Sequence, residues 1–176
     1  MSESSKNHKA SAPKQLKFAI YVCSTLRYQQ LQEGEKIADV SGDMIKALLK
    51  SAGHMVLSKE IIADDEGMIA EAVKSVLNSK ELDAVIFCGG TGIAPKDVTI
   101  ETVQPFLEKV LFGFGEIFRR LSYDKVGSAA VMSRAVAGVA KGKALFCIPG
   151  SPDAVRVSVE MLILPEATHI VRHIRE

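Results

Sequence analysis

Hydrophobic residues fall in short unbroken runs separated by stretches where they recur every three or four positions, which predicts strands interleaved with helices. Lys17 to Cys23, KFAIYVC, is β-favouring and nearly continuous in apolarity, as a strand buried on both faces should be. A polar stretch from Ser24 to Asp39 is assigned no element. From Ser41, the positions Ile45, Leu48, Leu49 and Ala52 share one helical face, and Gly53 supplies a stop. Met55 to Ile62 reads as a second strand. Met68, Ile69, Ala72, Val73, Val76 and Leu77 then mark an amphipathic helix between Glu66 and Ser79, and Asp83 to Cys88 is the third and most apolar strand.

Beyond it lie a glycine loop, a helix from about Ile100, the aromatic segment GFGEIFRRLSY, an AAVM stretch, a strand from Lys143 to Ile148 and a last helix from about Pro152. Strands alternating with helices predict an α/β fold with a mainly parallel sheet covered on both faces. Ligands bind such sheets beyond the carboxyl ends of the strands, at a switch in strand order. Phe112, Phe114 and Phe118 are expected as a buried aromatic cluster, either in the core or between subunits, with the core favoured.

At 176 residues, 47% of them hydrophobic, the chain is the size of one domain with a substantial core. The net charge of +1 gives no reason to expect a nucleic-acid or anionic-membrane partner. The first sixteen residues, rich in Ser, Lys and Ala, are expected to form a disordered tail rather than a secretory signal, leaving a domain over 17–176. With no apolar span of membrane length, a cytoplasmic location is expected. Cys23, Cys88 and Cys147 each sit near the end of an apolar run, where small core side chains belong, and no short Cys or His spacing suggests zinc. His54, His169 and His173 likewise show no pairing that suggests a metal, and read as surface or helix-end residues.

The candidate chemistry lies in loops that follow strands. In CGGTGIAPKDVT, glycines at 89, 90 and 92 let the backbone bring N–H groups close to an anion, with help from the start of the next helix. A tight strand-to-helix turn would explain one or two of these glycines. The pattern matches neither the common NTPase loop nor the dinucleotide fingerprint. Asp97 could hold a metal or cap a helix, and Asp64 and Asp65 pose the same choice after the second strand. IPGSPDAV, from Ile148, is a second strand-end loop, stiffened by Pro149 and Pro152, with Gly150 and Ser151 offering donors.

Five segments, DVSGDMI (39–45), GGTGIAPKDVT (89–99), GFGEIFR (113–119), MSRAVAGV (132–139) and IPGSPDAV (148–155), together resemble the MoaB/MogA molybdopterin-binding family, in the same order. The resemblance runs from about Lys17 to the C-terminus. It implies a three-layer α/β/α sandwich, assembly as a homotrimer or homohexamer, dealings with other cofactor-biosynthesis proteins, and molybdopterin binding. Active members transfer AMP from ATP to the terminal phosphate of molybdopterin with Mg2+, releasing pyrophosphate; others only bind the pterin. The resemblance makes Asp64 and Asp97 the catalytic and magnesium-holding carboxylates. It places substrate against Asp39, Ser41 and Gly42; against Gly89, Gly90, Thr91 and Gly92; against Ser133 and Arg134; and against Pro149, Gly150, Ser151 and Pro152. Two features depart from the family pattern. Ala63, Asp64 and Asp65 stand where a proline-aspartate pair is common, and the first-strand loop reads Ser24, Thr25, Leu26, Arg27, Tyr28.

Overall fold

The computed structural model describes residues 13–176, so most of the expected tail lies outside the described residues. Packing begins just ahead of Lys17: Leu16 is fully buried and donates its N–H to Nδ1 of His54 at 3.3 Å. The elements run β1 (Lys17–Cys23), α1 (Thr25–Gln32), α2 (Val40–Ser51), β2 (Met55–Ile62), α3 (Glu66–Asn78), β3 (Ala84–Cys88), α4 (Thr99–Val103), β4 (Lys109–Val110), α5 (Phe112–Val126), β5 (Val136–Ala140) and β6 (Lys143–Ile148). The last helical rod is α6 (Pro152–Arg156), a π-helical stretch (Val157–Ile163) and α7 (Leu164–His173). Pro165, in the first turn of α7, cannot donate to the preceding turn, which accounts for the widened helix just before it.

One six-stranded sheet has the order β2-β1-β3-β6-β5-β4. Strands β1, β2, β3 and β6 are parallel, while β5 runs antiparallel to β6 and β4 antiparallel to β5. The mainly parallel α/β sheet expected from the sequence is present, with an antiparallel margin that the reading did not foresee. That margin is a hairpin: Lys141 (φ 45) and Gly142 (φ 71) form a two-residue turn of the kind that suits the strand twist. The chain leaves β1 towards β2 but leaves β3 towards β6, so the order reverses between β1 and β3, whose carboxyl ends therefore face a crevice.

Side chains alternate across the sheet. Phe18, Ile20 and Val22 of β1 join Ile86, Phe146, α2 and the C-terminal rod on one face. Ala19, Tyr21 and Cys23 join Phe87, Leu145, α3 and α4 on the other. This is the three-layer sandwich. All three cysteines are buried and unbridged, and burial pushes the thiols of Cys23 and Cys88 up to about 12, so they are packing groups.

Three expectations need correction. Thr25–Gln32 is helical; its side chains bury nothing, so no apolar stripe betrayed it. The aromatic segment does not place its phenylalanines together in the core: Phe118 is buried and Phe114 packs on Phe146 at 5.7 Å, but Phe112 is 73% exposed. Nor is His54 a surface residue; it is buried against Phe18 and accepts the Leu16 N–H.

Candidate functional site

The loops after β1, β2, β3 and β6 converge at the crevice. Gly89 (φ 107) donates its N–H to the Ile148 carbonyl at 3.0 Å, and a β-carbon there would collide with the Cys23 carbonyl. Only glycine lets the third strand's loop run this close to the end of the first. Gly90 (φ 61) follows, its carbonyl accepting from Thr99 N–H at 3.0 Å. Among the described residues, the amides of Gly90, Thr91 and Gly92 donate to no protein acceptor. They border a cavity of about 370 Å³ lined by residues 89–92, Asp97, Met132 to Arg134, Pro149 and Gly150. Successive unspent N–H groups around a concavity make a cradle for an anion. The helix beyond contributes little: α4 has five residues and starts at Thr99, well past the glycines.

The aspartates sort themselves by contact. Asp65 caps α3, its Oδ1 accepting from Met68 N–H at 2.9 Å. Asp64 instead turns to the β1 loop: its Oδ2 accepts from Thr25 N–H at 3.1 Å and its own N–H donates to Thr25 Oγ1 at 3.0 Å. Its Oδ1 is buried against Gly90 with no partner. A buried carboxylate oxygen with nothing to accept from is costly unless a donor or cation arrives. Asp97 does not cap α4. Its Oδ2 accepts from Ala94 N–H at 2.9 Å, closing the loop, and lies against Gly92.

Asp39 spends its oxygens within the protein. Oδ1 caps α2 by accepting from Gly42 N–H at 3.0 Å, and Oδ2 accepts from Lys59 Nζ at 2.8 Å, with Arg27 at 3.5 Å from Oδ1. Burial works to lower the Lys59 pKa, but its bonds to Asp39 and Asp43 outweigh that and raise it, so the Lys59 ammonium keeps its charge. Ser41 reaches across to the last loop, donating from Oγ to the Gly150 carbonyl at 2.6 Å. Ser151 caps α6, with Pro152 at that helix's start.

Arg134 is held on both sides. Nε donates to the Thr91 carbonyl at 2.9 Å, and Nη1 and Nη2 pair with Glu101 at 2.5 and 3.2 Å. Glu101, which the sequence reading did not single out, is held below the usual carboxylate range chiefly by the Arg134 hydrogen bond. Thr25 was missed as well. Both sit in helices whose chemistry shows only when a distant loop is brought against them. Gly89 to Gly92, Ser133, Arg134, Pro149 and Gly150 thus surround one cavity with Asp97, while Asp64 borders the same loop from beneath.

The donor set suits a magnesium ion. That ion takes one or two carboxylates and leaves its remaining positions to water and substrate phosphates, and among the described residues no group of three or more ligating side chains forms a closed cage. Asp97 lines the cavity, and the orphaned Oδ1 of Asp64 lies buried against Gly90, behind the same loop.

Residues 19–169 match the family described as "Probable molybdopterin binding domain". The chain is 43% identical over 164 residues to molybdenum cofactor biosynthesis protein B of Bacillus cereus, covering 93% of each chain. It is 39% identical to a protein of Methanocaldococcus jannaschii named probable molybdopterin adenylyltransferase, covering 93% of this chain and 96% of that one. Among solved structures, the tungsten cofactor synthesizing protein MoaB of Pyrococcus furiosus superposes with a TM-score of 0.82 at 37% identity, over 94% of this chain and all of that one.

Proposed function

The chain belongs to the molybdopterin-binding family of molybdenum cofactor biosynthesis proteins, and from that premise we propose that it binds molybdopterin and transfers AMP to it from ATP. The observation that carries this reading is the set of unspent amides at Gly90, Thr91 and Gly92, flanked by Asp97 and by an unpartnered Asp64 oxygen. The name of the Methanocaldococcus jannaschii relative supports the reaction type.

In this reaction a terminal phosphate oxygen of molybdopterin attacks the α-phosphorus of ATP. The new P–O bond forms as the bond to the β-phosphate bridging oxygen breaks, and pyrophosphate leaves with that electron pair. Such transfer asks the protein for alignment and charge neutralisation rather than for a nucleophile. The loop amides hold a phosphate, and Arg134, fixed by Glu101, keeps the Thr91 carbonyl turned away from it. Ser41 ties the last loop to α2 and so sets the width of the crevice. Asp64 and Asp97 would hold magnesium, which when bound neutralises phosphate charge.

A homotrimer or homohexamer is part of the proposal. It is supported by the exposed Phe112, Ile117, Tyr123, Val126, Val131 and Met132 along α5 and the turns that follow it. Light scattering checks it. The activity is tested by mixing protein, ATP, magnesium and molybdopterin. Pterin-dependent pyrophosphate release is expected; pterin binding without turnover would make the chain a carrier, and ATP hydrolysis without pterin would make it a generic hydrolase.

A further inference from the structure

Far from this crevice, two histidines one turn apart near the end of α7 bring their rings together. The ring centroids of His169 and His173 are 4.6 Å apart, and the two Nε2 atoms are 2.9 Å apart. Each ring's other nitrogen faces a carboxylate: His169 Nδ1 lies 3.0 Å from Glu166 Oε2, and His173 Nδ1 lies 3.1 Å from Glu176 Oε2. The second oxygen of Glu176 is taken by Arg172 Nε at 3.1 Å.

The carboxylates determine where the ring protons sit. An ionised glutamate can only accept, so each Nδ1 carries a hydrogen. In a neutral imidazole the remaining nitrogen then bears a lone pair that can ligate a metal, and the two Nε2 atoms stand 2.9 Å apart. A carboxylate on the far nitrogen of each ring is also the outer-shell arrangement that orients histidines towards a metal and raises their basicity. The rings sit at the carboxyl end of the helical rod, where the backbone dipole favours positive charge.

The spacing narrows the class of ion. With metal–nitrogen bonds of about 2.0–2.1 Å, donors 2.9 Å apart subtend roughly a right angle at the metal, the cis angle of a tetragonal or octahedral centre rather than a tetrahedral one. The pair lines a cavity of about 450 Å³ between α7 and the β4–β5 margin, beside Glu108, Lys109, Leu111 and Ile170. Among the described residues no group of three or more ligating side chains forms there.

We propose that His169 and His173 form a binding site for one divalent transition-metal ion of tetragonal or octahedral preference, such as nickel(II), separate from the phosphate crevice. Calorimetric titration of the full-length, untagged protein with nickel chloride tests it. One ion per chain is expected, with uptake lost in His173→Ala and in His169→Ala and kept in His8→Ala. Glu166→Gln should weaken binding about tenfold, the lower end of an outer-shell effect. Circular dichroism melting checks that the α7 variants remain folded. No uptake by the wild type, which would mean that a proton alone bridges the rings, overturns the site. Uptake unchanged by His173→Ala overturns it as well.

Discussion

The α-carbon of Gly90 packs so closely on Oδ1 of Asp64 that no β-carbon fits between them. The glycine loop after β3 and the carboxylate after β2 are therefore one mechanical unit, although the side chain of Asp64 does not line the cavity itself.

Gly90→Ala should disable this unit. Alanine at φ 61 costs about 1–2 kcal/mol, and its methyl must push Asp64 aside. AMP transfer is expected to fall by about 10²-fold, the scale of a misplacement near 1 Å. Pyrophosphate release and a melting curve, measured on the same preparation, separate the two effects.

Asp97→Asn keeps a side-chain oxygen for the Ala94 N–H and removes the charge. The melting temperature should barely move while AMP transfer falls by at least about 10²-fold, as when a charge-stabilising group is removed from an active site. An active, magnesium-dependent variant would sink the metal role.

Glu101→Gln leaves Arg134 a weaker partner and frees it to leave the Thr91 carbonyl. For a half-exposed ion pair the stability loss should stay below about 1 kcal/mol, while kcat drops with the loop's loss of order. The wild-type pair has its own acid signature. Because Arg134 holds the folded pKa of Glu101 below its unfolded value, the pair's contribution is complete above the ordinary glutamate range and is lost as the pH falls through the lowered value. A carboxyl-carbon NMR titration should show Glu101 as a late-protonating glutamate, and Arg134→Ala should return it to the ordinary range.

His54 gives a pH effect near neutrality. Burial lowers its folded pKa, so above about 6.5, its ordinary value, both states are neutral and nothing is lost. Below that, the unfolded chain takes up a proton that the folded one refuses, and stability declines. Urea unfolding at pH 7 and pH 5.5 should show the decline in the wild type and a smaller one in His54→Asn.

How much of this was legible in the sequence depends on whether a feature is local. The strands β1, β2, β3 and β6 and the helices α2 and α3 follow from runs and stripes of apolar residues, so their periodicity announces them. Helix α1 buries nothing, and β4 has two residues, so neither leaves a periodic trace. At the site, the glycine loop could be read because closely spaced glycines are a local signature. The choice between Asp64 and Asp65 could not, since it rests on which carboxylate meets Thr25, 39 positions away. Glu101 is 33 positions from Arg134, and adjacency of that kind is a property of the sheet order. The histidines of α7 stand four apart, yet their meeting depends on side-chain torsions that spacing alone does not reveal.

The central place of β3, between β1 and β6, sets a timetable for synthesis on the ribosome. Every residue of β3 ends up buried, yet its second neighbour is not made until residues 143–148 emerge. Until then an apolar strand shows a bare edge, the kind of surface chaperones cover. The same late strand supplies the Ile148 carbonyl that receives Gly89, and the loop after it meets Ser41 across 109 positions. A nascent chain halted short of residue 148 would therefore already have helices α1 to α5 and no crevice, so the proposed phosphate cradle assembles only once β6 and the loop after it have been made.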